Sequence, residues 1–440
     1  MNPRIRPGIG ILAALAIVAA ACGSSPATAT PPAGPTGSAT SSAGVQASGT
    51  PGASPTVDNG ATPNASGDLA TYAQIETQVE ALRELGPKSP VTPVLLDEQG
   101  ISDWMTRANQ NGVDHAALAA QSRLFAHLGL LPSGASLEQL ELALNAGQAV
   151  GFYDADTKQL YLLSQSGSVG PEQKLTFSHE FTHALQDQHF GLAKLAIDTP
   201  DQGDRDLART ALPEGDATLS MMQWALAHMS LADLGSVTLS EAAGPQTAQL
   251  NNAPAILRED LLFPYVDGLA FIESVYARGG WSAVDRLYAR PPNSTSQILH
   301  PNLYSGVIDP VAVSLPAVPA ALGSGWKVAY QDTMGELQLR VWLEGEHPTR
   351  AEKTAADSAA SSWAGDRIGL YEGPNGAWAV VLRTQWRGAS GRTAFAAAAS
   401  TTLGALSSPS SVCGDALEAN IVIASDTTVM GGFTTCRPAA

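Results

Sequence analysis

Gly170-Pro171 opens a run that closes at Gly191, and everything between reads as a single helix. Proline at the first helical position gives up an N–H that has no intrahelical partner anyway. Glu172 suits the positive end of the helix dipole, and glycine suits the stop. Inside this run stands His179-Glu180-Phe181-Thr182-His183. Residues four apart lie about 40° apart around a helix and one turn along it, so both imidazoles can reach one ion. Glu180 lies about 100° round from His179, beside such an ion rather than on it, with room for a water between. Leu175, Phe177, Phe181, Ala184 and Leu185 make one side apolar; Thr176, His179, His183 and Asp187 make the other polar. The plainer alternative is a partly exposed helix whose histidines pair with carboxylates. The ordered His-Glu-x-x-His pattern within a well-delimited helix favours metal binding.

A catalytic zinc takes three protein ligands and keeps one position open. Two residues compete for the third place. His189 follows His183 by six residues, the spacing of His-Glu-x-x-His-x-x-Gly-x-x-His proteases, but Gln186 stands where those enzymes have the glycine that turns the chain. A helix continuing through 189 points that ring about 120° away. Glu214 is the better candidate. It lies in Leu212-Pro213-Glu214-Gly215-Asp216-Ala217-Thr218, where Pro213 suits the first turn of a new helix. Gly215 and Ala217 are small enough to let that helix approach the first.

His179-Glu180-x-x-His183 followed by Glu214-Gly215-x-Ala217 resembles the gluzincin metallopeptidases, the thermolysin-like clan. Phe177 to Phe190 and Glu214 to Ala217 are similar to poorly characterised bacterial lipoproteins grouped as metallopeptidases. The two motifs cover under a tenth of the chain. The resemblance implies a zinc ion held by His179, His183 and Glu214, with Glu180 as general base. It also implies a zincin-like catalytic domain and an edge strand before the helix that pairs with substrate backbone; Val150 to Leu163 has the hairpin pattern for that place. Thr218 stands where several subfamilies place an aspartate that orients a ligand histidine, so Asp216 or Asp187 is expected in that orienting role. Tyr265 and His300 are candidates for stabilising an oxyanion, against the plainer role of structural residues at helix boundaries. His228 reads as an ordinary core or surface histidine.

The expected fold is α+β and mostly helical. It comprises a catalytic domain over 68–310, a small β-hairpin or sheet before its central helix, and a smaller α+β unit over 311–440. In that unit Met334 to Leu343 and Ala351 to Trp363 read as helices, Arg367 to Tyr371 and Ala377 to Trp386 as a hairpin, Thr393 to Leu403 as a helix and Ile421 to Ser425 as a strand. Trp363, Trp378 and Trp386 read as packing. Earlier in the chain, Val91 to Leu96 suggests a strand, and Ser102–Gln110, His115–Leu128 and Ser136–Leu144 suggest helices.

The N-terminus reads as an export signal: Arg4 and Arg6, then an apolar stretch from Ile9 to Ala21, too short to span a bilayer. Ala20-Ala21-Cys22-Gly23 resembles a lipobox, which implies a signal peptide over 1–22 and a lipidated Cys22. Residues 23–67 are almost entirely Ala, Ser, Thr, Gly and Pro, a composition that reads as a disordered tether. Cys413 and Cys436 are the remaining cysteines, and in an exported protein a disulfide between them is expected. The net charge of −17 argues against nucleic-acid binding and against attraction to anionic lipid. Together these features describe a membrane-tethered, extracytoplasmic zinc peptidase acting on peptide or protein substrates. Two rivals belong to other classes: a catalytically inactive relative that binds zinc or a ligand, and a ligand-binding lipoprotein whose histidines are ordinary polar residues.

Overall fold

The computed structural model describes residues 65–433 except 98, 102, 105–112, 146–150, 165–168, 198 and 243–244. The expected signal peptide, Cys22, nearly all of the tether, most of the Ser102–Gln110 helix and Cys436 lie outside the described residues. The described residues are mostly helical, with two small sheets. Helix α1 (Ala65–Arg83) takes in the last three residues of the expected tether. Strand β1 (Val94–Leu96), helices α2 (His115–Leu128) and α3 (Leu137–Asn145), and strands β2 (Gly151–Asp154) and β3 (Gln159–Leu163) follow. The first sheet has the order β1-β3-β2, with β1 parallel and β2 antiparallel to β3. β2 is therefore an edge strand.

Helix α4 (Pro171–Phe190) carries the two histidines. Pro171 occupies its first position, Gln173 Oε1 accepts the Gly170 N–H at 3.0 Å, and Gly191 ends it at φ +74°. Its residues from Gln173 to Asp187 are almost all buried, polar side included, so the helix is central rather than partly exposed.

Helix α5 (Gly203–His228) differs from expectation: Pro213 lies well inside it rather than in its first turn. The helix starts earlier because Asp332 Oδ1 takes the Gly203 N–H at 2.7 Å and the Asp204 side chain is held by Thr295. Gly215 is also placed differently. A Cβ there would lie 2.4 Å from the Gly268 backbone, so the small residue serves the crossing with helix α8, not with α4. Helices α6 (Leu231–Ala242) and α7 (Pro245–Asn251) precede α8 (Ala255–Asp285), which breaks at Gly279-Gly280, and short helices α9 (Thr295–Leu299) and α10 (Pro301–Ser305) follow.

The C-terminal part is a five-stranded antiparallel sheet of order β4-β5-β6-β8-β7. Its strands are β4 (Lys327–Asp332), β5 (Trp363–Glu372), β6 (Trp378–Trp386), β7 (Ser410–Cys413) and β8 (Glu418–Ala424). Helices α11 (Gly335–Glu344), α12 (Arg350–Ala360), α13 (Ala389–Gly404) and α14 (Thr427–Phe433) accompany it. The helix expected to reach Trp363 stops at Ala360, and Trp363 instead opens β5, its indole N–H donating to Asp366 at 2.9 Å. Strands β4 and β7 carry no sequence signal strong enough to have been expected. Trp363 and Trp386 are buried, while Trp378 is half-buried and stacks on His127. One continuous hydrophobic core includes Leu175 and Phe177 of α4, Trp281 of α8, Leu337 of α11, and Ile368 and Ile421 of the sheet. Residues on both sides of position 310 thus share a core.

Candidate metal centre

Three donor atoms converge between α4 and α5. His179 Nε2 lies 3.1 Å from His183 Nε2 and 3.2 Å from Glu214 Oε2, and His183 Nε2 lies 3.4 Å from that same oxygen. Three corners of a tetrahedron around an ion with bonds of ~2.0–2.1 Å are ~3.3–3.4 Å apart, so the triangle has the size a zinc-like cation requires. The ligand atoms of His179, Glu180 and His183 also lie within 4.8 Å of one another. This group can hold a metal ion. The donor set, two imidazoles and a carboxylate, suits a borderline cation.

Proton placement supports the same use. Gln186 Nε2 donates to the Pro213 carbonyl at 3.0 Å, which turns Gln186 Oε1 toward His183 Nδ1 at 2.9 Å. An oxygen there can only accept, so His183 carries a proton on Nδ1, and Nε2 presents its lone pair to the centre when the ring is neutral. Glu180 is fixed from the other side: Oε2 accepts the Tyr153 N–H of edge strand β2 at 2.6 Å. Neither partner was apparent from the sequence. Gln186 stood out only as the missing glycine, and a backbone N–H leaves no trace in side-chain spacing.

The groups are strongly coupled. Burial pushes the Glu180 carboxyl up to about 8, with Glu214 adding to the rise and His183 and the Tyr153 N–H opposing it. Burial disfavours charge on His183, but Glu214 and Glu180 overcome it and lift the ring to about 10. Burial likewise works against a charged Glu214, and the two histidines outweigh it, holding the carboxyl at about 2. Burial lowers His179.

The remaining expectations sort by position. Tyr265 on α8 is buried beside the centre, its ring 6.3 Å from that of His179. Burial and the Glu214 and Glu180 charges raise its hydroxyl well above 10, so it stays an O–H donor. His300 is elsewhere: its Nε2 lies 2.7 Å from Glu336 Oε1, and the charges that shift it upward, Glu336 foremost, are not those of the centre. His189 also points away, donating to the Gly86 carbonyl at 2.7 Å. His228 ends α5 as an exposed ring.

Neither aspartate orients a ligand histidine. Asp187 accepts from the Tyr153 hydroxyl at 2.9 Å and pairs with Lys158 at 2.6 Å, clamping the β2–β3 hairpin to α4. Asp216 accepts from Arg83 at 2.7 and 3.0 Å and from the Tyr288 hydroxyl at 2.7 Å. Two residues on from Glu214, it faces the opposite side of α5. His179 Nδ1 and Thr218 Oγ1 are both buried without a protein hydrogen-bond partner.

Residues 326–433 match a family described as a domain of unknown function (DUF8575). No curated protein matches the chain. Among solved structures, a protein from Chloroflexus aurantiacus, provisionally named a hydrolase and described as having a novel fold, is similar at 18% identity. The match covers 57% of this chain and 93% of that one at a TM-score of 0.35, and neither fold nor activity is carried over from it.

Proposed function

We propose that this chain is a zinc-dependent peptidase of the gluzincin type, with His179, His183 and Glu214 as metal ligands and Glu180 as general base. The observation that carries the reading is the donor triangle with the Glu180 carboxylate beside it. Zinc bound there supplies Lewis acidity, polarising a scissile carbonyl and acidifying water. The chain's own residues do the rest. Tyr153 N–H holds Glu180 Oε2, which leaves Oε1 to take a proton from the attacking water and pass it to the leaving amine. Hydroxyl thus adds to the carbonyl carbon as the C–N bond breaks, and the proton leaves on nitrogen. Gln186 fixes the His183 tautomer, and we assign the Tyr265 O–H, beside Glu214, to stabilising developing negative charge.

The N-terminal sequence supports attachment of the mature chain through a lipidated Cys22 on the outer face of a membrane. No helix among the described residues is long and apolar enough to cross a membrane. Cys22→Ser is expected to release the protein to the soluble fraction or leave the precursor uncleaved; unchanged membrane fractionation rejects the anchor.

A second reading is a zinc-binding protein without turnover. The near-complete burial of the donors favours it, with His179 at 0% and Glu214 at 8% exposure. One experiment separates the two: zinc content of the purified protein, with hydrolysis of a mixed peptide library before and after chelation. Bound zinc with chelator-sensitive cleavage supports the peptidase. Bound zinc without cleavage supports the second reading, and absence of zinc removes both.

A further inference from the structure

The end of the molecule where α5 turns into α6 is poor in charge and rich in bare leucine. From Leu226 to Ala255 the only acidic or basic side chains, histidine aside, are Asp233 and Glu241. Asp233 is taken up in capping α6, accepting the Ser230 hydroxyl at 2.8 Å. In the same stretch Leu226, Leu231 and Leu239 are 76%, 88% and 73% exposed, more than any other large apolar residue among those described. Val237, by contrast, is buried and fixes α6 to the core. Leu231 and Leu239, eight residues apart on α6, lie about 80° apart around it and on the side away from Val237, and exposed apolar residues that share a face mark a contact surface.

The direction of α1 says where this end lies relative to the rest of the chain. Arg83 meets Asp216 and Gln78 meets Trp224, so α1 runs antiparallel to α5. Its first turn, including the exposed Leu69, therefore lies at the α5–α6 end. The 64 residues before α1, with the apolar run Ile9–Ala21 and Cys22 among them, precede that first turn in sequence.

We infer that this leucine end docks onto the lipid bilayer, its side chains entering the interfacial region of a zwitterionic membrane. A bilayer accepts apolar side chains without matching shape or hydrogen bonds, which fits bare leucines in a stretch whose charged residues are only Asp233 and Glu241. The absence of Lys and Arg from this stretch, in a chain of net charge −17, removes attraction to anionic lipid. Three leucines bind a membrane weakly. Attachment of the preceding segment at the same end raises the local lipid concentration enough for weak docking to set the orientation of the domain. The inference draws on the membrane-attachment reading, so its test leaves the attachment out.

Residues 65–440 contain every described element and the whole core, and lack the N-terminal segment. This fragment is floated with phosphatidylcholine vesicles at millimolar lipid, and its partition coefficient is compared with that of Leu226→Ser/Leu231→Ser/Leu239→Ser. The expected result is partition of the parent, a loss of at least about tenfold in the triple variant, and weaker binding when phosphatidylserine is added. Val307→Ser/Ile308→Ser, exposed elsewhere, is expected to partition like the parent, and unfolding midpoints check that all variants fold. The inference is overturned by equal partition of parent and triple variant, or by no partition of the parent at any lipid concentration. A concentration-dependent dimer that the triple variant abolishes also overturns it, assigning the surface to a second copy. None of these outcomes depends on whether Cys22 is lipidated or the metal centre is active.

Discussion

Gln186 Oε1 lies 2.9 Å from His183 Nδ1 while Gln186 Nε2 reaches the carbonyl of Pro213 at 3.0 Å. One amide thus links the second histidine of α4 to the residue just before Glu214 on α5, fixing both the tautomer of the ring and the approach of the carboxylate. Such partners of metal ligands are typically worth about 10–100-fold in affinity. Gln186→Leu is expected to weaken zinc binding by about that factor, with Gln186→Glu recovering part of it by restoring an acceptor. Competition against a chromophoric chelator measures both, and unchanged affinity in Gln186→Leu rejects the role.

The coupled carboxyls and imidazoles make metal uptake a proton exchange. With His183 lifted to about 10 and Glu180 to about 8, the metal-free chain holds protons at neutral pH that a cation must displace. Zinc affinity is therefore expected to rise with pH across 6–8, with proton release visible by calorimetry in buffers of different ionisation enthalpy. Stability of the chelated protein follows the opposite logic. The His183 contribution is fully present below its unfolded value of 6.5 and fades as pH rises through about 10. That of Glu214, held at about 2, is present above 4.5 and fades as pH falls toward 2. Binding that releases no protons contradicts this assignment.

Much of the centre could be read from sequence because it depends on local geometry. Four-residue spacing on a capped helix places His179 and His183, and a carboxylate beside a proline on a later helix supplies the third atom. What could not be read depends on long-range contacts. Asp216 sits within two residues of Glu214, yet a buried Arg83 from α1 claims it, and the pairing spans 133 positions. His300 resembled a site histidine until α11 supplied Glu336. Among the described residues strand β4 pairs with β5, and its buried positions are Tyr330 and Asp332, so alternating burial is not matched by alternating apolar side chains. Pro213 marked a helix start by rule, but contacts to Asp332 and Thr295 extend that helix back to Gly203.

Those contacts carry a pH signature of their own. Asp204 accepts the Thr295 N–H, tying α5 to α9, and Asp366 accepts the Gly335 N–H at 2.8 Å and the Met334 N–H at 3.0 Å, tying α11 to the sheet. Burial raises Asp204 to about 8 and Asp366 to about 6, against an ordinary 3.8. The folded chain then binds more protons than the unfolded one between about pH 4 and 8. These groups' contribution is complete below pH 4 and declines as pH rises. Urea unfolding at pH 5 and 8 is expected to show the parent losing stability with rising pH, and Asp204→Asn showing a flatter profile. An equally steep profile in the variant refutes the role of Asp204.

Glu180→Gln separates chemistry from metal binding. Its carboxylate lies within 4.8 Å of the histidine nitrogens and is assigned as base rather than ligand, so zinc stoichiometry is expected to hold while hydrolysis falls by about 10²–10⁴-fold. Tyr265→Phe removes only a hydroxyl and is expected to lower kcat more than it raises KM, the pattern of a contact made in the transition state. A Glu180→Gln protein that turns over at the parent rate rejects the general-base assignment.

The third ligand is decided by two alanine variants. Glu214 Oε2 stands 3.2 and 3.4 Å from the two imidazole nitrogens, and its removal leaves a two-histidine site that a zinc ion binds weakly. Glu214→Ala is expected to lose zinc at micromolar free metal and all activity, and the loss of its pairing with His183 also leaves that ring less basic. His189 is spent on the Gly86 carbonyl at 2.7 Å, at the end of α4 that runs unbroken through Gln186. His189→Ala is therefore expected to keep parental zinc affinity and turnover, with a small loss of stability from the missing hydrogen bond, about 1 kcal/mol. Zinc affinity measured side by side for the two variants gives the answer. A large loss in His189→Ala beside a small one in Glu214→Ala would reverse the ligand assignment and move the chain to the three-histidine architecture.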